Sequence, residues 1–229
     1  MKRLILITLV FIIALNAKSQ NITNKQFALI NYELEISDEF RDDMKPVKKF
    51  LKTVEVHNKD TDDKLKALMV HHMYYHLAEE LENNLEIVIL PINTFNQSVN
   101  YNDFGYPKEK ISKIQRIGDS PFYFKINVNI GSLTEEKMKM NPKLKGDITF
   151  PLITVDITVY SNEGIIPVFK WHGEKAAYKP FEVNERFFRT LVKENQLPDK
   201  PEQQKKEQES LFKLYSLAVS NLIENYKNN

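Results

Sequence analysis

Two stretches of this chain repeat every second residue, and they limit its fold more than any other feature. Phe122, Phe124, Ile126, Val128 and Ile130 alternate with Tyr123, Lys125, Asn127 and Asn129. Ile153, Val155, Ile157 and Val159 alternate in the same way with Thr154, Asp156, Thr158 and Tyr160. A period of two belongs to a strand whose two faces meet different surroundings. Ser161-Asn162-Glu163-Gly164 is a turn, and Val168 to Ala176 returns as a further strand, so the second stretch opens a hairpin.

Apolar strand faces need a cover, and the chain supplies helices. The strongest helical pattern runs over roughly Thr61–Asn84, with Asp60 or Thr61 as cap and Asp62 and Asp63 on the positive end of the helix dipole. Met69, Val70, Met73, Tyr74, Leu77 and Leu81 form its stripe at 3.6-residue spacing. Before it, Phe27 to Ile36 (FALINYELEI) reads as a strand. After it, Leu85 to Leu90 is a short apolar run, expected to be a strand buried on both faces. Together these make a βαβ unit. Ile111, Ile114 and Ile117 predict a short helix within Pro107–Ile117, and Arg186 to Lys193 predicts one helical turn or two. The chain closes on an amphipathic helix carrying Leu211, Tyr215, Ala218, Val219, Leu222 and Tyr226 on one stripe. No repeat of 20–50 residues is visible, which argues against solenoids and propellers.

The expected fold is therefore α/β (α+β). A single mixed sheet of about five strands has the long helix and the C-terminal helix packed on it. Mobile loops are expected near 92–106, 131–147 and 177–209. The 229 residues contain no cysteine, so an apolar core and not a disulfide framework must hold the fold. The same absence removes thiol nucleophiles and zinc–thiolate sites.

The N-terminus reads as an export signal. Lys2 and Arg3 precede an apolar run from Leu4 to Leu15, broken only by Thr8. Ala17-Lys18-Ser19 then offers small residues for cleavage before Gln20. Twelve residues of helix rise only about 18 Å, short of the roughly 30 Å hydrocarbon core. Residues 1–19 are thus expected to be a cleaved signal peptide and 20–229 one domain, periplasmic or secreted, without a helical membrane span. Loss of Lys2, Arg3 and Lys18 takes the formal charge from +1 to −2, which argues against a nucleic-acid partner. The Lys45, Lys48, Lys49, Lys52 cluster faces Asp38, Glu39, Asp42 and Asp43 and reads as a solvated segment.

Motifs for chemistry are sparse. No G-x-S-x-G elbow is present, and six glycines form no phosphate-binding loop. His72 and His76 lie four apart on one helix face with Glu79 and Glu80 a turn later, a spacing able to ligate zinc or copper. Met73 stands where a metalloprotease helix places glutamate, and a third ligand would have to come from His57, His172 or a distant carboxylate. Histidines at the boundary of a packed stripe are the main reading. The loop INTFNQSVNYNDFGY, with Tyr101, Phe104, Tyr106 and Pro107, offers a stacking surface for a small ligand at the end of the Leu85–Leu90 strand. Packing over that strand is the alternative. Trp171, the single tryptophan, is assigned to the core. No residue is assigned as catalytic, cofactor-binding or metal-ligating, and no cofactor is expected.

The order of a strand, a helix containing LAEELENN, a strand ILPI, a helix ending in IGDSPFYFKINVNIG, an ITVDITVYSNEG hairpin and a terminal amphipathic helix resembles a known domain. It is similar to the periplasmic α/β domain of curli-secretion-channel-like (CsgG-like) and TolB amino-terminal-like bacterial envelope proteins, over about residues 62–228. The resemblance implies an envelope protein. Channel-forming members insert apolar hairpins into the outer membrane, whereas residues 131–147 here are rich in lysine and glutamate and cannot face lipid. It therefore implies a relative that forms no pore.

The expected function is that of a non-enzymatic binding module of the cell envelope, with an envelope protein or small ligand as partner. The alternatives are a small-ligand binder or hydrolase using loop 92–107, and a metal site on His72 and His76.

Overall fold

A computed structural model describes residues 22–56, 63–133, 148–195 and 210–228. The signal peptide expected at 1–19 lies outside them, as do His57, Glu135 and Glu136.

Strand β1 (Gln26–Ile36) leads through the short helices α1 (Asp38–Asp43) and α2 (Lys48–Leu51) to the long helix α3 (Lys64–Leu85). Then come β2 (Val88–Ile89), helix α4 (Ile111–Ile114) and β3 (Phe122–Ser132). They are followed by β4 (Ile148–Thr149), β5 (Pro151–Ser161), β6 (Pro167–Ala176), β7 (Phe181–Glu182), α5 (Glu185–Glu194) and α6 (Leu211–Lys227). Five strands form one mixed sheet in the order β2-β1-β3-β5-β6, with β1 parallel to both β2 and β3 and the last two pairings antiparallel. β4 and β7 make a separate two-stranded ribbon.

The alternation in β3 and β5 does what period two requires. Phe122, Phe124, Ile126, Val128, Ile130 and Ile153, Val155, Ile157, Val159 all enter the main core. Helices α3 and α6 cover that face. The Tyr32 hydroxyl donates to the Val70 carbonyl at 3.1 Å and the Tyr215 hydroxyl to the Met73 carbonyl at 2.7 Å, so each buried phenol ends on the backbone of α3. A buried phenol without a partner would cost about 1–3 kcal/mol, which is why both reach one.

β1 carries a bulge. Leu29 pairs with Phe124 and Asn31 with Lys125, leaving Ile30 as the extra residue. Phe27 and Leu29 face the helices before it, and Tyr32, Leu34 and Ile36 face them after it. The extra residue resets the parity that an unbroken strand would keep. On the other side of the sheet, Ala28 and Ile30 join Tyr123 under a small roof of Phe95, Val99 and Ile114.

The long helix begins at Lys64, not at 61, because Asp63 is its cap: the carboxylate accepts from the Lys66 amide at 3.1 Å. Arg41 grips the same carboxylate through two nitrogens, at 3.1 and 2.6 Å. The run 85–90 is not a strand buried on both faces. Leu85 belongs to α3, Glu86 stops the helix with φ 52°, and only Val88–Ile89 pair, at the edge of the sheet, where Val88 is 44% exposed. Its apolar residues divide: Leu85 and Ile87 enter the main core with Ile89 packed against it, and Leu90 packs against the small cluster on the other side. The helix expected over 107–117 shrinks to Ile111–Ile114 because Pro107 and Lys108 bridge extended chain at Tyr101 and Asn31. The polar stretch 177–209 holds β7 and α5, and of 131–147 only Gly131 to Leu133 are among the described residues.

Candidate functional site: the open face of the sheet

Beyond the small roof, no element among the described residues covers the face of the sheet opposite α3 and α6. Register sets its side chains in rows. Glu33, Asn127, Asp156 and His172 are successive partners across β1, β3, β5 and β6. One row toward the roof stand Asn31, Lys125, Thr158 and Lys170; one row away stand Glu35, Asn129, Thr154 and Glu174. At about 4.8 Å between strands and about 7 Å between alternate residues, the three rows cover a patch of roughly 15 by 14 Å. Every position in it is polar or charged.

The patch is graded in charge. Lys125 and Lys170 lie nearest the roof, and the Lys125 ammonium sits 5.9 Å from the centre of the Tyr160 ring. Glu33, Asp156, Glu35 and Glu174 lie further along. His172 Nδ1 meets Asp156 Oδ1 at 2.8 Å, and its Nε2 lies 3.8 Å from Glu174 Oε2. His172 and Asp156 are each about half exposed, so this is a wet pair at the rim, worth little as a stabilising bridge. Asn, Thr, carboxylate and imidazole in flat rows provide both donors and acceptors for a polar partner. A small molecule needs a concave site that encloses it, and among the described residues no element closes over these rows.

Sequence reasoning placed Asp156 on a polar strand face and His172 in the returning strand, as a possible third metal ligand, but did not place the two beside each other. The missing information was register: β5 and β6 pair so that 156 meets 172, and nothing local to either strand states it.

The other candidate residues fall elsewhere. Tyr106 and Phe104 of the aromatic loop turn inward. Tyr106 is buried edge-on to Tyr32, with ring centres 4.7 Å apart, and its hydroxyl shares a 2.9 Å hydrogen bond with His71 Nδ1. Asn102 Oδ1 accepts from the Phe104 and Tyr106 amides at 3.0 and 3.1 Å, folding the loop on itself, while its amide donates to the Tyr32 carbonyl at 3.2 Å. The loop packs over the sheet edge, and of its aromatic residues only Tyr101 reaches the exposed range, at 36%.

His72 and His76 clasp the Phe212 ring, at 4.4 and 5.0 Å between centres. Both ring nitrogens of His72 and Nε2 of His76 are buried without a hydrogen-bond partner. Burial pushes both imidazoles below the usual histidine range; His76 adds to this at His72, while Glu80 and Glu79 pull His76 partly back. Among the described residues no group of three or more His, Asp and Glu is placed to hold a metal ion. Trp171 is buried, tilted against Phe27 and edge-on to Tyr226.

One concavity of about 260 Å³ lies between β7, α5 and the start of α6, lined by Phe181, Asn184, Phe187, Glu194 and Leu211 among others. Burial pushes the Glu194 carboxyl up, against hydrogen bonds from Ser210 and the Phe212 amide. The described chain stops at Asn195 and resumes at Ser210 on its rim.

These features define an α+β protein whose sheet carries α3 and α6 on one face and, among the described residues, a polar and largely uncovered second face. No protein-family model matches the chain, and no curated protein does. Among solved structures it is similar to lipoprotein GNA1162 from Neisseria meningitidis, at 9% identity and a TM-score of 0.42 over 90% of this chain and 100% of that one. It is also similar to the hypothetical protein CT253 from Chlamydia trachomatis, at 5% identity and a TM-score of 0.34 over 67% of this chain and 73% of that one. A third likeness is to a PelC dodecamer from Paraburkholderia phytofirmans, at 9% identity and 0.34 over 88% and 84%. These are weak likenesses to bacterial proteins, and they show no kinship with the CsgG-like or TolB domains. No helix among the described residues is long and apolar enough to cross a membrane.

Proposed function

We propose that the chain is an exported envelope protein that works by binding, and that it presents the bare sheet face to a macromolecular partner. The row Glu33–Asn127–Asp156–His172 carries this reading. It places four polar side chains in register across four strands on a face that no described element covers. A face of that shape suits a broad, wet interface with a polar rim more than a small substrate. Export rests on the N-terminal pattern of Lys2, Arg3, the Leu4–Leu15 run and Ala17-Lys18-Ser19.

The chain has no cysteine, so a single introduced thiol reports on one position alone. Asn127→Cys and Thr154→Cys, each carrying a photo-crosslinker, are expected to capture the same envelope protein in intact cells. Tyr75→Cys on α3 is expected to capture none. Equal capture from all three positions, or none from the sheet, overturns the assignment of the face.

A further inference from the structure

Three imidazole nitrogens meet at one contact with nothing to bond. Nδ1 and Nε2 of His72 and Nε2 of His76 are buried, and among the described residues no hydrogen-bond partner reaches them. Both rings stand edge-on to Phe212, with 66° and 61° between the ring planes. A neutral imidazole still has one N–H and one lone pair to satisfy, so burying it unbonded is a costly way to fill space. Apolar side chains of similar size would pack there at lower cost. Orphaned polar atoms of this kind call for an explanation other than packing.

What the clasp holds is the first turn of α6. Leu211 and Leu214, either side of Phe212 in the chain, are buried. The polar ties of the turn are local: the Lys213 amide donates to Ser210 Oγ and the Leu214 amide to the Ser210 carbonyl, each at 3.0 Å. The Phe212 amide donates to the Glu194 carboxyl of α5. The rest of the helix is anchored separately. Tyr215 reaches the Met73 carbonyl, Ala218 and Leu222 sit against Gly173, and Asn221 and Asn225 reach β6. None of those anchors involves residues 210–214.

We infer that His72 and His76 form an acid-operated latch: once protonated they release Phe212, and the first turn of α6 lifts off while the rest of the domain stays folded. An imidazolium carries two N–H donors, and both need water or an acceptor. The Phe212 ring offers a cation some attraction but no acceptor. Two imidazolium rings one helical turn apart also repel each other. Among the described residues, the other titratable groups around the latch are Glu79 and Glu80 on α3, Tyr215 on α6 and Glu194 on α5. Glu79 and Glu80 ease a charge on His76, but neither accepts from its buried nitrogen. Tyr215, raised by burial, stays neutral. Glu194 opposes the latch, because burial raises its carboxyl and it keeps a proton best with the turn closed. Release uncovers Leu211, Phe212 and Leu214 and widens the concavity beside Phe181, Phe187 and Leu191. A fall in pH thus turns a packed helix end into apolar surface. The latch shares no residue with the rows of the open sheet face, so it stands or falls independently of that assignment.

Hydrogen exchange in the intact chain reads the latch amide by amide. Corrected for intrinsic exchange rates, protection of the Phe212, Lys213 and Leu214 amides is expected to fall about tenfold or more between about pH 7.5 and about pH 5.5. The Val219 and Leu222 amides, at the Gly173 contact and beyond, are expected to keep theirs. His72→Gln with His76→Gln should hold protection of the turn level across that range, and Glu194→Gln should move its loss to higher pH. A second readout needs no variant: in the parent chain the imidazole resonances of His72 and His76 are expected to titrate below about pH 6.5, in step with the loss of protection. Protection that does not fall, or that falls equally along all of α6, overturns the inference. So does a fall that persists in the double variant, or one that occurs while both histidines stay neutral.

Discussion

Asn221 of α6 accepts the outward-pointing amide of Glu174 in β6 at 3.2 Å. One turn on, Asn225 donates to the His172 carbonyl at 3.1 Å. β6 is the last strand of the sheet, and its free backbone groups are what another strand would pair with. The terminal helix thus occupies part of the exposed edge with two side-chain amides. Asn221→Ala with Asn225→Ala is expected to lower stability only modestly, by about 1 kcal/mol, since both bonds are solvent-exposed. The larger effect is expected in association: the double variant should form dimers or higher species in sedimentation velocity at concentrations where the parent chain is monodisperse.

α6 comes that close because residue 173 has no side chain. A Cβ on Gly173 would lie 2.3 Å from the Ala218 carbonyl oxygen and 2.6 Å from the Leu222 amide nitrogen, both backbone atoms that cannot yield cheaply. Gly173→Ala is expected to cost about 3 kcal/mol, at the upper end for overpacking, measured by urea denaturation. Gly164→Ala, in open turn space, serves as the control and should stay within about 0.5 kcal/mol.

The clasp of His72 and His76 on Phe212 gives stability a pH dependence. Burial holds both imidazoles below the usual range, so the unfolded chain takes up protons first as pH falls. Above the unfolded value of about 6.5 both are neutral in either state and add no pH dependence. Destabilisation is expected to set in below that pH and to level off only under the folded values. Thermal melting followed from pH 8 to about 5 should show this fall, and His72→Gln with His76→Gln should flatten it.

Asp63 acts in the opposite sense. Burial pushes its carboxyl up, but the Arg41 guanidinium and the Lys66 amide outweigh that and hold it below the usual range. Its stabilisation is full above the unfolded value near 3.9 and is lost as pH falls through the lower folded value. Asp63→Asn keeps a capping oxygen and loses the ion pair. At neutral pH it is expected to cost about 1 kcal/mol, a figure kept low because both partners are about one-third exposed. Asp63→Ala loses the cap as well and should cost about 2 kcal/mol.

The layers of this fold were legible in the sequence because each long element has its own period. Residues 122–130 and 153–159 announce strands, and Met69 to Leu81 announces the helix laid over them. What could not be read were the short elements, whose form is decided by neighbours. Val88–Ile89 is a strand only because Gln26 and Phe27 lie beside it, and Pro107 leaves the helix because Tyr101 faces it. The aromatic loop shows the same limit: composition cannot say whether Tyr106 faces a ligand or Tyr32. The candidate face was half visible. Alternation marks Asn127 and Asp156 as pointing away from the core, but their alignment with Glu33 and His172 depends on pairings between residues distant in sequence.

The extra residue at Ile30 works as a divider as well as a parity switch. It lets one strand contribute Ala28 and Ile30 to the roofed part of the sheet and Glu33 and Glu35 to the bare part, on the same side. Where the roof ends and the polar rows begin is therefore set by a single insertion. Moved two positions along β1, it would carry that frontier by about 7 Å and change which residues a partner meets, with the pairing of the other strands untouched.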